Sequence, residues 1–348
     1  MMKLLFYLAC VLVLFGCTNE APKEDTTQQP TEERMKKEYP TVGSIERMDE
    51  RMDALIAKDA QLEILAEGFV WTEGPLWVEA HQMLLFSDIP PNSIYKWTEG
   101  GGKELYLKPS GYTGEEERGG EVGSNALILD TDGRLVLCQH GDRRMARMDV
   151  PVILPEAKFT TLADRYDGKR FNSPNDAVFN SKGELFFTDP PYGLAQQEND
   201  PSKELDYQGV FRVDTSGTVH LLTDELTRPN GLAFSPDESK LYVANSDPER
   251  AIWMVYDMQE DGSLVNGKVF YDATDKVARE KGLPDGMKVD DAGNIYATGP
   301  GGVWVFSPEG EQIGLVRTGQ ATSNCAFNAD KSILYITADM YIMRLSLK

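Results

Sequence analysis

Six polar heads recur along the chain: Glu73-Gly74, Asn125-Ala126, Asn175-Asp176, Asn230-Gly231, Asp285-Gly286 and Asn324-Cys325. Each begins with a side chain that offers an oxygen. Carboxylate and amide oxygens without cysteine or histidine are ligands for a hard cation, Ca2+ or Mg2+ more than a soft metal. About four such ligands leave roughly two to four of the positions Ca2+ prefers open to water and substrate. An open centre of that kind polarises a carbonyl and lowers the pKa of bound water. The competing assignment makes the heads plain turn and strand-end residues, a role that suits Asn and Asp. Six heads with the same chemistry favour convergence on one site.

The elements that position them repeat with the heads. Each head leads into a short apolar strand, a tight turn and a second strand rich in Leu, Tyr, Phe or Val, as in Asn230-Gly-Leu-Ala-Phe followed by Lys240-Leu-Tyr-Val-Ala. Heads lie about 40 to 55 residues apart, enough for a four-stranded sheet per copy. Six such sheets around an axis make an all-β, six-bladed propeller, with the heads at one mouth of the central channel. The second strands return to the same face and bring Asp88, His140, Asp189, Asn245 and Asp339 there as an outer ring. The last copy stops at Lys348 without a fourth strand, and a spare strand, Leu62-Glu-Ile-Leu-Ala, precedes the first copy. Pairing the two would close the ring and remove two open sheet edges. Residues 59–348 are therefore expected to form one domain.

Ahead of it, residues 1–17 read as an export signal: Lys3 precedes a short apolar run that ends Leu14-Phe15-Gly16-Cys17. That ending resembles the lipobox of bacterial lipoproteins and predicts a lipid on Cys17, hence an exported protein anchored to the membranes of the bacterial cell envelope. Residues 18–43 are polar and poor in apolar side chains, a disordered tether by composition. Over residues 44–58, Ile45, Met48, Met52, Leu55 and Ile56 recur at helical spacing and predict one short amphipathic helix. The net charge of -21 disfavours a nucleic-acid partner, because phosphate backbones are bound through clustered Lys and Arg. Cys138 and Cys325, each in an apolar run, are expected as buried small hydrophobes.

Several segments together carry a family resemblance. Phe69-Val-Trp-Thr-Glu-Gly-Pro-Leu-Trp, Gly123-Ser-Asn, Cys138-Gln-His-Gly-Asp-Arg-Arg, Asn172-Ser-Pro-Asn-Asp, Phe187-Thr-Asp-Pro-Pro-Tyr-Gly and Leu283-Pro-Asp-Gly-Met resemble the gluconolactonase and regucalcin family, in its bacterial gluconolactonase branch. The resemblance spans nearly all of residues 44–348. It implies a propeller with one divalent metal ion held by Glu73, Asn175, Asn230 and Asp285, with Ca2+ expected first and Mg2+, Mn2+ or Zn2+ as alternatives. It also implies hydrolysis of a sugar (aldono)lactone.

Within that expectation Asp285 is the first candidate for the base that takes a proton from water. His140 is its rival, since an imidazole titrates near neutrality. Asn125 and Asn324, heads outside the metal quartet, are candidate substrate contacts, together with Asn175 itself, Arg143 and Tyr192. Two other functions fit the same fold: a metal-dependent phosphotriesterase, and a non-enzymatic propeller that binds calcium or a sugar acid.

Overall fold

A run such as Leu185-Phe186-Phe187-Thr188-Asp189 is buried at every position, and the propeller explains why. Alternate side chains of a strand point to opposite faces. Phe187 packs with Val136, Cys138 and Met145 of the preceding sheet, whereas Phe186 packs with Leu241, Val243 and Met254 of the following one. Each sheet is therefore apolar on both faces. Each of the six core clusters joins neighbouring sheets around the ring, and the one that includes Phe86, Trp97 and Tyr335 joins the first to the last. Cys138 and Cys325 are buried in two of these clusters, and burial pushes the Cys325 thiol up to about 12.

The computed structural model describes residues 38–348, and the expected export signal, Cys17 and most of the tether lie outside them. In Tyr39–Lys348 six antiparallel sheets of four or five strands form the blades of a six-bladed propeller, beside a small hairpin of Arg165–Tyr166 and Lys169–Arg170. Blade 1 runs Thr72–Val78, Met83–Asp88, Ser93–Thr98 and Gly102–Leu107. Blades 2, 3 and 4 begin at Ser124, Ala177 and Pro229 and have four strands each. Blade 5 begins at Met287 and blade 6 at Thr322.

Ring closure follows the sequence expectation. Leu62–Glu67 pairs antiparallel with Tyr341–Ser346, in the register Leu62 to Leu345 and Ile64 to Met343. Arg344 of that last strand pairs with Glu63 beside it and Glu99 of blade 1, so one guanidinium bridges the seam. Thr41–Val42 then adds to the outer edge of Leu62–Glu67.

The expected helix over residues 44–58 is corrected. Ser44–Arg47 is instead a fifth strand on blade 5, paired with Gly314–Arg317, and only Met52–Leu55 is helical. The open edge of Gln312–Arg317 offers a row of unpaired backbone groups, and satisfying them outweighs a helix period carried by few residues. Gly43 enables the approach: its φ is +73°, and a Cβ there would lie 1.9 Å from the Arg317 carbonyl oxygen. Arg47 then donates to the carbonyls of Ile56 and Ala57, which lie beyond the helical turn. Met52 and Ile56 are buried as expected, whereas Met48 is exposed.

Candidate metal centre

Every head sits where its strand departs from regular pairing. In blades 1, 2, 4 and 6 the ladder shifts register within or next to the head, between Glu73 and Leu76, Ser124 and Leu127, Pro229 and Leu232, and Thr322 and Asn324. Such bulges re-aim a side chain. In blades 3 and 5 the head precedes the inner strand, and its own N–H is fixed instead: Asn175 donates to Thr188 O (2.8 Å) and Asp285 to Thr298 O (3.0 Å).

The residues expected as an outer ring act behind the heads. Asp88 Oδ1 accepts the N–H groups of Val70 and Trp71, Asp189 accepts those of Asn172 and Ser173, and Asn245 Oδ1 accepts that of Arg228. In each blade the bracket grips the chain two or three residues before a head: Glu73, Asn175 or Asn230. Both Asp189 oxygens are used, at 2.7 Å each, while burial pushes its carboxyl up to about 7. Asn at position 189 would turn an NH2 toward one of those N–H donors. Asp189→Asn should therefore cost about 1 to 3 kcal/mol in chemical denaturation and loosen Asn175. Unchanged stability would show that the bracket does not hold the head.

Glycine follows three heads because the next blade's inner strand passes against it. A Cβ on Gly74 would lie 2.2 Å from Asn125 O, one on Gly231 2.2 Å from Asp285 O, and one on Gly286 1.9 Å from Asn324 Cγ. At Gly74 and Gly231 the inner strands thus touch backbone to backbone, and at Gly286 the backbone packs on the Asn324 side chain, which draws the heads together at the axis. Gly231→Ala should force Asn230 and Asp285 apart, destabilise the fold by about 1 to 3 kcal/mol and weaken metal binding; thermal melts with and without divalent ion check both.

The heads meet at a cavity of about 380 Å3 whose wall includes Glu73, Asn125, Asn175, Asn230 and Asp285. The Oδ1 atoms of Asn125, Asn175, Asn230 and Asp285 are buried and have no hydrogen-bond partner. Buried polar atoms are ordinarily paired, so four orphaned oxygens on one wall call for a partner that accepts electron pairs. For Asn230 the orientation is forced. Ser246 donates its hydroxyl proton to Pro284 O, so its Oγ can only accept from Asn230 Nδ2 (2.9 Å), which leaves Asn230 Oδ1 facing away. Glu73 Oε2 accepts from Gly74 N (2.7 Å) and Asn324 Nδ2 (3.2 Å).

Electrostatics agree with the oxygens. Burial, with lesser help from Asp176, pushes the Glu73 carboxyl up to about 8; burial and then Glu73 raise Asp285 well above the carboxylate range. Glu121 and Glu280 also line the cavity, and no Lys or Arg does among the described residues. No three of these acids cluster tightly enough to hold an ion by themselves, so the amides are needed to complete the set. Glu73, Asn175, Asn230 and Asp285 thus fit a hard divalent cation, and Asn125 adds a fifth oxygen on the same wall.

The other expected site residues divide. Tyr192 lines the cavity. His140 does not: it is fully buried, with Nδ1 3.1 Å from Glu121 Oε2 and neither ring nitrogen in an aligned hydrogen bond. Asn324 lies behind Glu73, with its Oδ1 accepting Cys325 N–H. Arg143 faces a different cavity and bonds to Phe171 O and Ser202 O.

Several wall residues escaped the sequence reading, among them Ser246, Trp71 and Glu121. Ser246 follows Asn245 by one position. Trp71 lies two residues before Glu73, inside a motif already singled out. Glu121 sits in the glycine-rich stretch between blades 1 and 2, where no repeat position marks it.

The family model described as the SMP-30/Gluconolactonase/LRE-like region matches residues 71–339. A gluconolactonase of Zymomonas mobilis is 39% identical over 314 residues, covering 88% of this chain and 87% of the relative. A pentonolactonase of Haloferax volcanii is 26% identical over 76% of this chain and 80% of its own. Among solved structures, a gluconolactonase from Xanthomonas campestris superposes with a TM-score of 0.75 at 31% identity, covering 89% of this chain and 98% of that one.

Proposed function

The chain belongs to the SMP-30/gluconolactonase/LRE-like family, and from that premise we propose that it hydrolyses a sugar lactone in the central cavity with a divalent cation, Ca2+ foremost, held by Glu73, Asn175, Asn230 and Asp285. One observation carries the metal reading: the unpartnered, buried Oδ1 atoms of Asn175, Asn230 and Asp285 share a wall with the Glu73 carboxylate. The lactone is inferred from the relatives whose names specify gluconolactone and pentonolactone hydrolysis.

When bound, the cation supplies Lewis acidity at the lactone carbonyl and acidifies an adjacent water. The chain's residues do the rest. Asn324 and the Gly74 N–H hold Glu73 in place. Asp285, whose Oδ1 would face the cation, takes the proton from the attacking water with its other carboxylate oxygen. Water oxygen bonds to the carbonyl carbon, the ring C–O bond breaks, and the ring oxygen takes the proton back from Asp285 and leaves as a hydroxyl, giving the open sugar acid. Tyr192 and Trp71 wall the cavity and offer rings for a sugar face to stack on. His140 lies off the cavity wall, buried beside Glu121, so it is not placed to act as the base.

The test is gluconolactone hydrolysis in a pH-stat by the protein stripped of metal, then supplied with Ca2+, Mg2+, Mn2+ or Zn2+, with a phosphotriester assayed in parallel. Restored lactone turnover with at least one ion is expected. Equal rates with and without metal would overturn the metal reading, and turnover of the phosphotriester alone would overturn the lactone.

We further propose that the protein is exported and held at a bacterial membrane by a lipid on Cys17. Cys17→Ala should then move it from the membrane fraction to the soluble fraction. Retention in the membrane fraction would refute the anchor.

A further inference from the structure

A second cavity, of about 420 Å3, is lined by three arginines, Arg118, Arg143 and Arg170, together with Tyr112, Asp142 and Asp200. Guanidiniums this close repel one another, and proteins ordinarily answer with paired carboxylates. Here the arginines bond to backbone carbonyls instead. Arg118 donates to Gly141 O and Gly193 O, Arg143 to Phe171 O and Ser202 O, and Arg170 to Asp142 O. None of the three forms an ion pair with a carboxylate among the described residues.

The two carboxylates in the cavity are already engaged. Asp142 accepts the N–H and hydroxyl of Thr113 and one N–H of Arg144. Asp200 accepts from Gln196 N, Ser202 N and Ser202 Oγ. Arg143 is only 3% exposed, and its Nη2 is buried without any partner. The backbone holds it there at φ +58°, in the left-handed region that a non-glycine residue seldom occupies. Burial, and then the neighbouring Arg170, push its guanidinium below the ordinary value. A buried, unpaired cation lacks its counter-ion.

We propose that this cavity is a binding site for a small oxyanion, a carboxylate or a phosphate, clasped by Arg143, Arg118 and Arg170. Guanidinium forks match the paired oxygens of both groups. With two carboxylates already present, the three arginines leave a single net positive charge, which suits a small anion rather than a polyanion. The site stands apart from lactone hydrolysis, and its test does not depend on that reading. It is nevertheless wired to the central cavity. Arg118 ties the stretch that carries Glu121 to Gly193, next to Tyr192, and Glu121 N–H donates to Tyr192 O (3.2 Å). Filling the clasp should therefore order the stretch from Tyr112 to Glu121, which contributes to the central wall.

Isothermal titration of the full chain with sodium phosphate or sodium gluconate, at constant ionic strength and with chloride as control, tests the site. Divalent ions are removed first, so that the central acids repel anions and cannot capture the probe. Saturable binding of at least one probe is expected, weakened about tenfold or more by Arg170→Gln and unchanged by Arg51→Gln, an exposed guanidinium paired with Asp49 and Glu311 away from the cavity. Binding of phosphate alone would identify the ligand as a phosphate, and of gluconate alone as a carboxylate. Arg170→Gln is preferred to replacement of the buried Arg143, which risks the fold. Hydrogen exchange across residues 112–121 should slow when the probe binds. Absence of binding by either probe up to about 10 mM, or equal affinity in Arg170→Gln, would overturn the proposal.

Discussion

Asp285→Asn is expected to lower kcat/KM for gluconolactone by about a thousandfold and, at the same time, to make the metal-free protein more stable at neutral pH. The two effects share one cause. Asp285 and Glu73 face one cavity; burial raises both carboxyls, with Asp176 adding to it at Glu73 and Glu73 adding to it at Asp285. Without a cation, holding both as carboxylates is unfavourable, so converting one to an amide removes a cost of about 1 to 3 kcal/mol. The same change removes the proton acceptor and half of the quartet's charge. Thermal melts in chelator and initial rates in saturating Ca2+ measure the two sides. A variant that loses activity but melts lower than the parent in chelator would show that Asp285 serves the fold rather than the centre.

Returning a divalent ion to the stripped protein should produce the second large effect. A ligand that binds only the folded state stabilises it by about 3 kcal/mol when present at a hundredfold excess over Kd. Four blades would each contribute one of the proposed ligands, so the ion would join elements far apart in sequence and its loss would be felt around the ring. The melting temperature should rise with ion concentration in the parent and stay flat in Asn175→Ala, whose blade would contribute no oxygen. Coincident melts with and without ion in the parent would mean that the orphaned oxygens hold something other than a metal.

The propeller was legible because its repeat was: heads, turns and third strands recur in every copy, and even the strand that closes the ring could be found by noticing that one copy was a strand short. The convergence of oxygen-bearing heads was legible as well, since a bulge or a strand start brings one such residue from each of five blades to the central cavity. Other features depended on contacts that no single stretch encodes. Ser44–Arg47 has a helix-like pattern, yet it pairs as a strand because Gly314–Arg317 presents a bare edge, a fact about another blade. Arg143 was assigned to substrate through its place after His140. Its left-handed backbone instead turns the side chain into the neighbouring cavity. Asn324 shares the repeat position of the ligands but bonds to Glu73 and to its own neighbour's N–H, and only the packed ring reveals that. Glu121 lies between repeats, so periodicity could not mark it.

The seam between the last blade and Leu62–Glu67 has a kinetic consequence. During synthesis the ligands emerge over more than two hundred residues, from Glu73 to Asp285, but the strand that must receive Leu62–Glu67 is among the last to appear. Until Tyr341–Ser346 is made, Leu62–Glu67 has no strand of the last blade to pair with, and side-chain contacts such as Asn324 to Glu73 and Tyr335 to Trp77 are what join the first and last blades. The backbone-paired seam around the centre is therefore completed in one late step, and a product shortened by that strand would carry every candidate ligand on a ring held shut by side chains alone.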